Sequence, residues 1–297
     1  MAVILNIEAD ELLYRAAFVV EKQAYKLTSA KGHIRDFGPN YTKTQILQKV
    51  NALGLKDYKL EGYKIVEPIE HALYIIKRNI KKFQLIGDPV LWLSPSDGSN
   101  FRFNIAKTPG QRGEGYKAGR PPKPVYYSEI REYLIKQYGA QEIKGFEADD
   151  ALGMYQTATS VAVHIDKDIN MIEGKHLHWV SGERYIVEPG SIGELPLNGR
   201  RGTSKAFFFH QLLTGDHTDN ILGIPNLGPV KATKLLEKAT TEKEMLDIVT
   251  KVYYNYYKSD EIKKLTEMAN LLYIVDNKHR KGEDYLREIS NEYITRN

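Results

Sequence analysis

The 297 residues contain no cysteine, which excludes disulfides and thiolate metal sites and leaves oxygen or histidine to hold any bound metal. No apolar run approaches the length needed to cross a bilayer, so no membrane partner is expected. The N-terminal MAVILNIEAD has too short an apolar stretch and no basic leader, so it reads as a buried strand rather than a signal peptide. These absences predict a cytoplasmic protein. A strong excess of one charge is also missing. The 42 lysines and arginines against 38 aspartates and glutamates leave +4, which permits a nucleic-acid partner without demanding one. No internal repeat or low-complexity segment is present, so the information about function lies in local clustering.

Short apolar runs alternate with helical patterns over roughly the first two thirds of the chain, the signature of an α/β fold with a sheet flanked by helices. Ala2 to Ile7 reads as a strand and DELLYRAAFVVEKQ as an amphipathic helix. AYKLTSAKGHIRDFG reads as a β-hairpin turning at Ala30-Lys31-Gly32, followed by a polar stretch to about Lys64. Helices are predicted at EPIEHALYIIKRNIKKF, at YYSEIREYLIKQY and from FEADDALGMYQ onward; strands are predicted at PVLWLS and VAVHID, and a hairpin-like pair at HLHWV and RYIVE. From about Ser204 the pattern is helical to the end. The predicted division is a core over 1–203 and a helical region over 204–297.

The segment GDHTDNILGIPNLGPVKA sets two carboxylates, Asp216 and Asp219, beside a glycine-punctuated turn. Gly223, Pro225 and Gly228 shape the turn, and a new helix opens at Val230-Lys231-Ala232. Free N–H groups at that helix start favour an anion, and Lys231 and Lys234, three apart, can add contacts to a phosphate backbone. Taken alone, the segment serves equally well as a Gly/Pro connection between packed helices. The acids weigh in the other direction, because two anions near a phosphate repel it by roughly 4 kcal/mol per close pair at an effective dielectric near 20. A divalent cation removes that conflict.

Further acids follow predicted strands, in NIEAD, SPSDG and HIDKD, and ligands of open α/β sheets bind at the carboxyl ends of strands. Any one of these acids alone is more simply a helix cap or a turn aspartate. Together with EADD and GDHTDN they form a set of Glu8, Asp10, Asp97, Glu147, Asp149, Asp150, Asp166, Asp168, Asp216 and Asp219. Glu147 and Asp150 share a helix face by their three-residue spacing, and Asp166 and Asp168 share a face if their strand persists that far. Such a concentration of carboxylates, if convergent, calls for hard cations, Mg²⁺ or Mn²⁺, and two such ions about 4 Å apart suit in-line attack on a phosphodiester.

The ordered set NIEADELLYR, SDGSNFR, YKAGR, FEADD, HIDKD and GDHTDNILGIPNLG resembles the flap endonuclease and 5′→3′ exonuclease superfamily, and within it the bacteriophage exonucleases, over residues 3 to 236. The resemblance implies a PIN-like core with a mostly parallel central sheet, a helix-three-turn-helix DNA-binding element within 221–234, and hydrolysis near DNA 5′ ends with two Mg²⁺ or Mn²⁺ ions. The ten acids then fall on the family's metal-binding positions. Lys117 and Arg120 match a basic pair that contacts the scissile phosphate, and Arg15 matches an arginine kept close to the site. Gly223, Asn226, Gly228, Lys231 and Lys234 fall in the DNA-binding turn, where the family also binds K⁺ through carbonyls near Gly223 and Gly228. The implied partners are duplex or branched DNA with 5′ ends, or an RNA–DNA hybrid. The implied setting is replication, in the host cytoplasm for a phage protein, with the chain a monomer.

Three features depart from the family pattern. Glu8 stands where aspartate is usual, with Asp10 nearby as a substitute. Asn226 replaces a frequent glycine, though asparagine tolerates left-handed backbone angles. Only 27 positions separate Arg120 from Glu147, which favours a plain exonuclease over one that threads a flap through a long arch. The stretch near 28–64 reads as an insertion. Flap endonuclease and RNase H-type activities accompany the exonuclease expectation. The alternatives are a non-catalytic DNA-structure-binding protein on the same fold and an RNA-directed nuclease. Lys77, Arg78, Lys81 and Lys82 read as a solvated helix face, His176 and His178 as exposed strand histidines, and Tyr253, Tyr254, Tyr256 and Tyr257 mostly as packing residues.

Overall fold

The computed structural model describes residues 2–105, 109–110 and 113–290. In chain order the first elements are β1 (Ile4–Glu8), α1 (Ala9–Val20), β2 (Glu21–Ser29), β3 (Ile34–Gly38), α2 (Lys43–Ala52), β4 (Tyr58–Val66), α3 (Ile69–Gln84) and β5 (Asp88–Leu93). The two-residue strands β6 (Pro109–Gly110) and β7 (Gly113–Glu114) precede α4 (Tyr127–Tyr138), β8 (Gln141–Glu142), α5 (Ala148–Tyr155), β9 (Val161–His164), β10 (Gly174–His178) and β11 (Glu183–Val187). Then come α6 (Ser204–Thr214), β12 (Gly215–Asp216), β13 (Ile221–Leu222), α7 (Pro229–Leu236), α8 (Glu242–Tyr257), α9 (Glu261–Leu272) and α10 (Gly282–Ser290). Gln111 and Arg112, a few residues before the YKAGR motif, lie outside the described residues.

The chain forms two compact units, one of residues 1–10, 83–121 and 139–297, the other of residues 11–82 and 122–138. The first unit holds a six-stranded sheet in the order β11-β10-β9-β1-β5-β8, parallel throughout except for β11. β1 is central, and its Leu5 and Ile7 are fully buried, as expected of a strand covered on both faces. From β1 the chain builds outward in both directions, to β5 on one side and β9 on the other. The carboxyl end of β1 is therefore a topological switch point, where crevices form in open α/β sheets.

The compact units do not divide at 203/204. Phe207, Phe208, Phe209, Leu212 and Leu213 of α6 are buried in the same apolar core as Leu152 of α5 and Ala162 of β9. Tyr253, Tyr273 and Tyr285 from the C-terminal helices join that core, so sheet and helices share one interior. A helix apolar on nearly every side must be enclosed, and α6 is the central helix of this region.

In the second unit the 28–64 stretch is ordered structure. β2, β3 and β4 form an antiparallel sheet in the order β3-β2-β4, with the predicted hairpin joining β2 to β3. α2 opens with a capping box in which the Thr42 hydroxyl accepts from the Gln45 N–H and the Gln45 side chain accepts from the Thr42 N–H. Its Ile46 and Val50 pack with Leu27 of β2 in a small core. Lys77, Arg78, Lys81 and Lys82 are exposed, the solvated face expected of α3.

Candidate active site

Acids gather at the switch point because strand ends and helix starts meet there. Glu8 ends β1 and is buried. Asp10, in the first turn of α1, accepts through Oδ2 from the Ser94 N–H just beyond β5 at 3.0 Å. Its Oδ1 is buried with no hydrogen-bond partner among the described residues. Burial raises the Asp10 pKa, against the hydrogen bonds from Ser94 and the charge of Lys117. The Ser94 hydroxyl in turn accepts from the Ala148 N–H at 3.0 Å, which ties the start of α5 to the end of β5.

Asp150 corrects the expectation drawn from EADD. Its two oxygens take a two-pronged contact from Arg102, Nη1 to Oδ2 at 2.6 Å and Nη2 to Oδ1 at 2.8 Å. They also accept from the N–H groups of Glu147 and Val275, each at 3.0 Å. Arg102 spends its other donors on the carbonyls of Leu271 (3.1 Å) and Tyr273 (2.7 Å), and both side chains are buried. Gly153, on the same helix, runs so close that a Cβ would stand 2.1 Å from the Val275 carbonyl. With its oxygens committed in this way, Asp150 is an anchor between α5 and the chain after α9, and it leaves the metal-ligand set.

Glu147 and Asp219 face a shared group of donors. The Tyr116 hydroxyl donates to Glu147 Oε2 at 2.6 Å and reaches Asp219 Oδ2 at 3.0 Å. The Lys117 ammonium contacts Glu147 directly and lies 3.8 Å from Asp219, while Arg120 contacts Asp219. Lys117 has a left-handed backbone, φ 57°, and its N–H donates to the Asp219 carbonyl at 2.9 Å. Burial works to raise the Glu147 pKa, but Lys117 and Arg102 outweigh it and hold the carboxyl at about 2. For Asp149, burial and then the charge of Asp166 push the pKa well above the usual carboxylate range. Asp149 thus links the helix-start acids to the strand-end acids.

β9 stops at His164, short of the predicted extent, so Asp166 and Asp168 are not alternating strand residues. The chain turns instead: the Asp168 N–H donates to Asp166 Oδ1 at 2.9 Å, and Asp168 opens a 3₁₀ helix. Lys167 reaches Asp168 at 2.9 Å and Asp216 at 3.2 Å, and the Gln211 amide donates to Asp168 at 2.7 Å. Burial and Asp166 push Asp168 up to about 7. Burial opposes ionisation of Asp216 as well, but Lys167 and a hydrogen bond with Asp168 keep its pKa low, so of the two Asp168 is the one that retains a proton.

Two lysines thus balance the negative charge: Lys117 beside Glu147 and Asp219, Lys167 beside Asp168 and Asp216. Among the described residues no three carboxylates or histidines are grouped to hold one ion. Asp97 is not drawn in; it is exposed, accepts from the Ser99 N–H at 2.9 Å and lies near Lys144. Arg15 lies on α1, in the second unit. Tyr116, Arg102, Ser94, Lys167 and Gln211 went unassigned in the sequence reading. Tyr116 sits inside the quoted YKAGR motif and Lys167 inside HIDKD, whereas Gln211 has no spacing signal at all.

The turn that follows has the backbone its sequence calls for. α6 ends at Gly215 (φ 69°), and β12 pairs with β13. A Cβ on Gly223 would lie 2.2 Å from the Thr214 carbonyl carbon, Asn226 is left-handed at φ 62°, and Gly228 is the N-cap of α7. Lys231 and Lys234 are exposed, and Lys231 donates to the Asn226 carbonyl at 3.0 Å.

His176 corrects a second expectation, since it is buried. The Nδ1 of His164 donates to the Asp166 carbonyl at 2.8 Å and the Nε2 of His176 to the Ile172 carbonyl at 2.8 Å. Burial depresses His164 to about 3 and His176 to about 4. Both bind protons more readily when unfolded, from pH 6.5 downward, so stability falls as pH drops from 6.5 toward those values. Asp149 and Asp168, whose pKa values are raised, act in the opposite sense over the same range, so the histidine share is read as a difference between variants. In urea unfolding at pH 7.0 and pH 5.0, the stability change of a His176→Asn variant is expected to be more favourable than that of the wild type by about 2 kcal/mol, at about 1.4 kcal/mol per pH unit at most.

No protein-family profile matches the chain. In sequence it is similar to DNA polymerase I of Thermus aquaticus, 29% identical over 184 residues that cover 58% of this chain and 21% of the relative. It is likewise similar to DNA polymerase I of Rhizobium leguminosarum, 29% identical over 159 residues, 47% of this chain and 14% of the relative. The chain thus spans about a fifth or less of the length of these curated relatives. A solved structure of a T5 5′-exonuclease mutant aligns over 98% of both chains at 10% identity with a TM-score of 0.40. In its ordered motifs the chain resembles the flap endonuclease and 5′→3′ exonuclease superfamily, and in sequence it is similar to a part of DNA polymerase I.

Proposed function

We propose that the protein is a divalent-metal-dependent 5′→3′ DNA exonuclease acting at 5′ ends of duplex, nicked or gapped DNA. The observation that carries this reading is the meeting of acids from three chain segments with Lys117 and Arg120 at one sheet end. The donor set suits a hard cation: all oxygen, with one buried unpartnered atom on Asp10, and with burial and then the neighbouring charge of Asp166 raising Asp149 and Asp168. Glu8, Asp10, Glu147, Asp149, Asp166, Asp168, Asp216 and Asp219 are the acids that would hold one or two Mg²⁺ or Mn²⁺ ions; as the side chains stand, Lys117 and Lys167 lie against four of them and no three described carboxylates are grouped on one ion. Such ions supply charge neutralisation and an activated water for phosphodiester hydrolysis. Lys117 and Arg120 now rest on carboxylates, and a bound phosphate offers them an alternative anion whose developing charge they stabilise.

The turn over 221–234 is read as a helix-three-turn-helix element that grips duplex phosphates, with Lys231 and Lys234 facing the backbone and K⁺ held by carbonyls near Gly223 and Gly228. Replication in the cytoplasm, a monomeric state, action on RNA–DNA hybrids and a phage origin belong to the same reading. Replacing Lys231 by alanine is expected to weaken DNA binding irrespective of sequence and to lower the salt slope by about one. An unchanged slope in a filter-binding titration would count against the phosphate role.

Matched flap, nicked, gapped and blunt duplexes test the activity. Short 5′ products from every substrate support the exonuclease, and release of one intact flap supports the endonuclease. Binding without cleavage across the set leaves the non-catalytic alternative.

A further inference from the structure

The two units carry opposite charge. The second unit has 17 lysines and arginines against 9 aspartates and glutamates, +8, and the first has 25 against 29, −4. Within residues 21–66 of the second unit, which hold nine of these cations, they are of two kinds. The β2 and β4 lysines are paired: Lys26 with Asp36 at 3.9 Å, Lys59 with Glu61 at 2.7 Å, Lys64 with Glu21 at 2.6 Å, and Lys22 with Glu67 in direct contact. Lys31, Arg35, Lys43, Lys49 and Lys56, on the β2–β3 turn, β3, α2 and the loop after it, are all exposed, and among the described residues none has a carboxylate partner.

Two of the unpaired cations are held in place without being neutralised. The Arg35 guanidinium lies 5.0 Å from the Phe37 ring, Phe37 meets Tyr41 edge to face at 5.8 Å, and Lys49 Nζ lies 4.1 Å over Tyr41. A cation resting on an aromatic ring keeps its charge and loses less side-chain freedom when an anion arrives. Unpaired positive charge on turn, strand and helix, held in place at Arg35 and Lys49, suits a repeating polyanion better than a single small anion.

We infer that the β3–α2 face of the second unit is a phosphate-backbone contact for the DNA substrate, separate from the turn over 221–234. The inference rests on the reading of the protein as one that acts on DNA. It concerns affinity, and gives these residues no part in the chemistry.

The test is the full chain carrying Lys31→Ala, Lys43→Ala and Lys49→Ala together, with Lys243→Ala, Lys251→Ala and Lys263→Ala, exposed lysines of the first unit, as the control. Binding to a labelled nicked duplex is titrated at several salt concentrations, and cleavage is measured at saturating DNA. The test variant is expected to bind about tenfold more weakly at 100 mM salt, with a slope lower by about 2 to 3 at about 0.9 per lost phosphate contact, and to retain its saturated rate within twofold. The control is expected to match the wild type. Wild-type affinity and slope in the test variant, or an equal loss in the control, would overturn the inference while leaving the nuclease reading intact. A wild-type chain that neither binds nor cuts DNA would remove both.

Discussion

Replacing Arg102 by methionine is expected to cost about 3–5 kcal/mol of unfolding free energy. Arg102 and Asp150 are both buried and meet through two hydrogen bonds of 2.6 and 2.8 Å. Removing one partner of such a pair strands the other charge away from water, and that desolvation sets the size of the loss. Methionine also leaves the Leu271 and Tyr273 carbonyls without their donor. Because Asp150 accepts from the Glu147 N–H, the loss should spread to the start of α5 and lower cleavage as well. The double replacement Arg102→Met with Asp150→Asn removes the stranded charge and keeps an acceptor for one of the two N–H groups, and it should recover about 1 kcal/mol. Urea unfolding midpoints with unchanged slope measure both effects. A loss below about 1 kcal/mol in the single variant would mean that the pair does not anchor α5.

Asp166→Asn is expected to lower cleavage by on the order of 10²–10³-fold or more, with DNA affinity unchanged within about twofold. The backbone at Asp166 is fixed by the His164 ring, so an isosteric amide should leave the chain path as it is. What changes is charge. Asp166 contributes, after burial, to the raised pKa of both Asp149 and Asp168, which places it between the two groups of acids. Losing it should let Asp168 titrate below its present value of about 7, observable by carboxyl-carbon NMR. Full activity in this variant would take Asp166 out of the proposed ligand set, and an unmoved Asp168 would show that the two acids are not in contact electrostatically.

Much of the fold was legible because apolar period and turn chemistry agree. The α1 pattern of Leu12, Leu13, Ala16, Ala17 and Val20 is a one-sided helical stripe, and every one of these residues is buried. Ala30-Lys31-Gly32 marked the β2–β3 hairpin correctly. The unit boundary was not legible, because a change from strands to helices says nothing about whether the helices share the sheet's core, as α6 does. Adjacent acids posed a similar difficulty. Asp149 and Asp150 are neighbours in EADD, yet their roles part according to where Arg102 lies, 48 residues away in sequence. The strand alternation of His176 was read rightly and its exposure wrongly, since burial there depends on pairing with β9 and β11 on its two sides. The candidate acids were chosen by their order along the chain. Their balancing cations were found only in part, Lys117 and Arg120 by motif and Lys167 not at all.

Incubation of a 5′-labelled duplex with the wild-type protein, with Mg²⁺ and again with excess chelator, tests most directly whether acids from separate strand ends form one ion-dependent nuclease centre. The account predicts short labelled products that require Mg²⁺ and disappear with Asp166→Asn. An intact label in Mg²⁺, or equal degradation in chelator and in the Asp166→Asn variant, would contradict it.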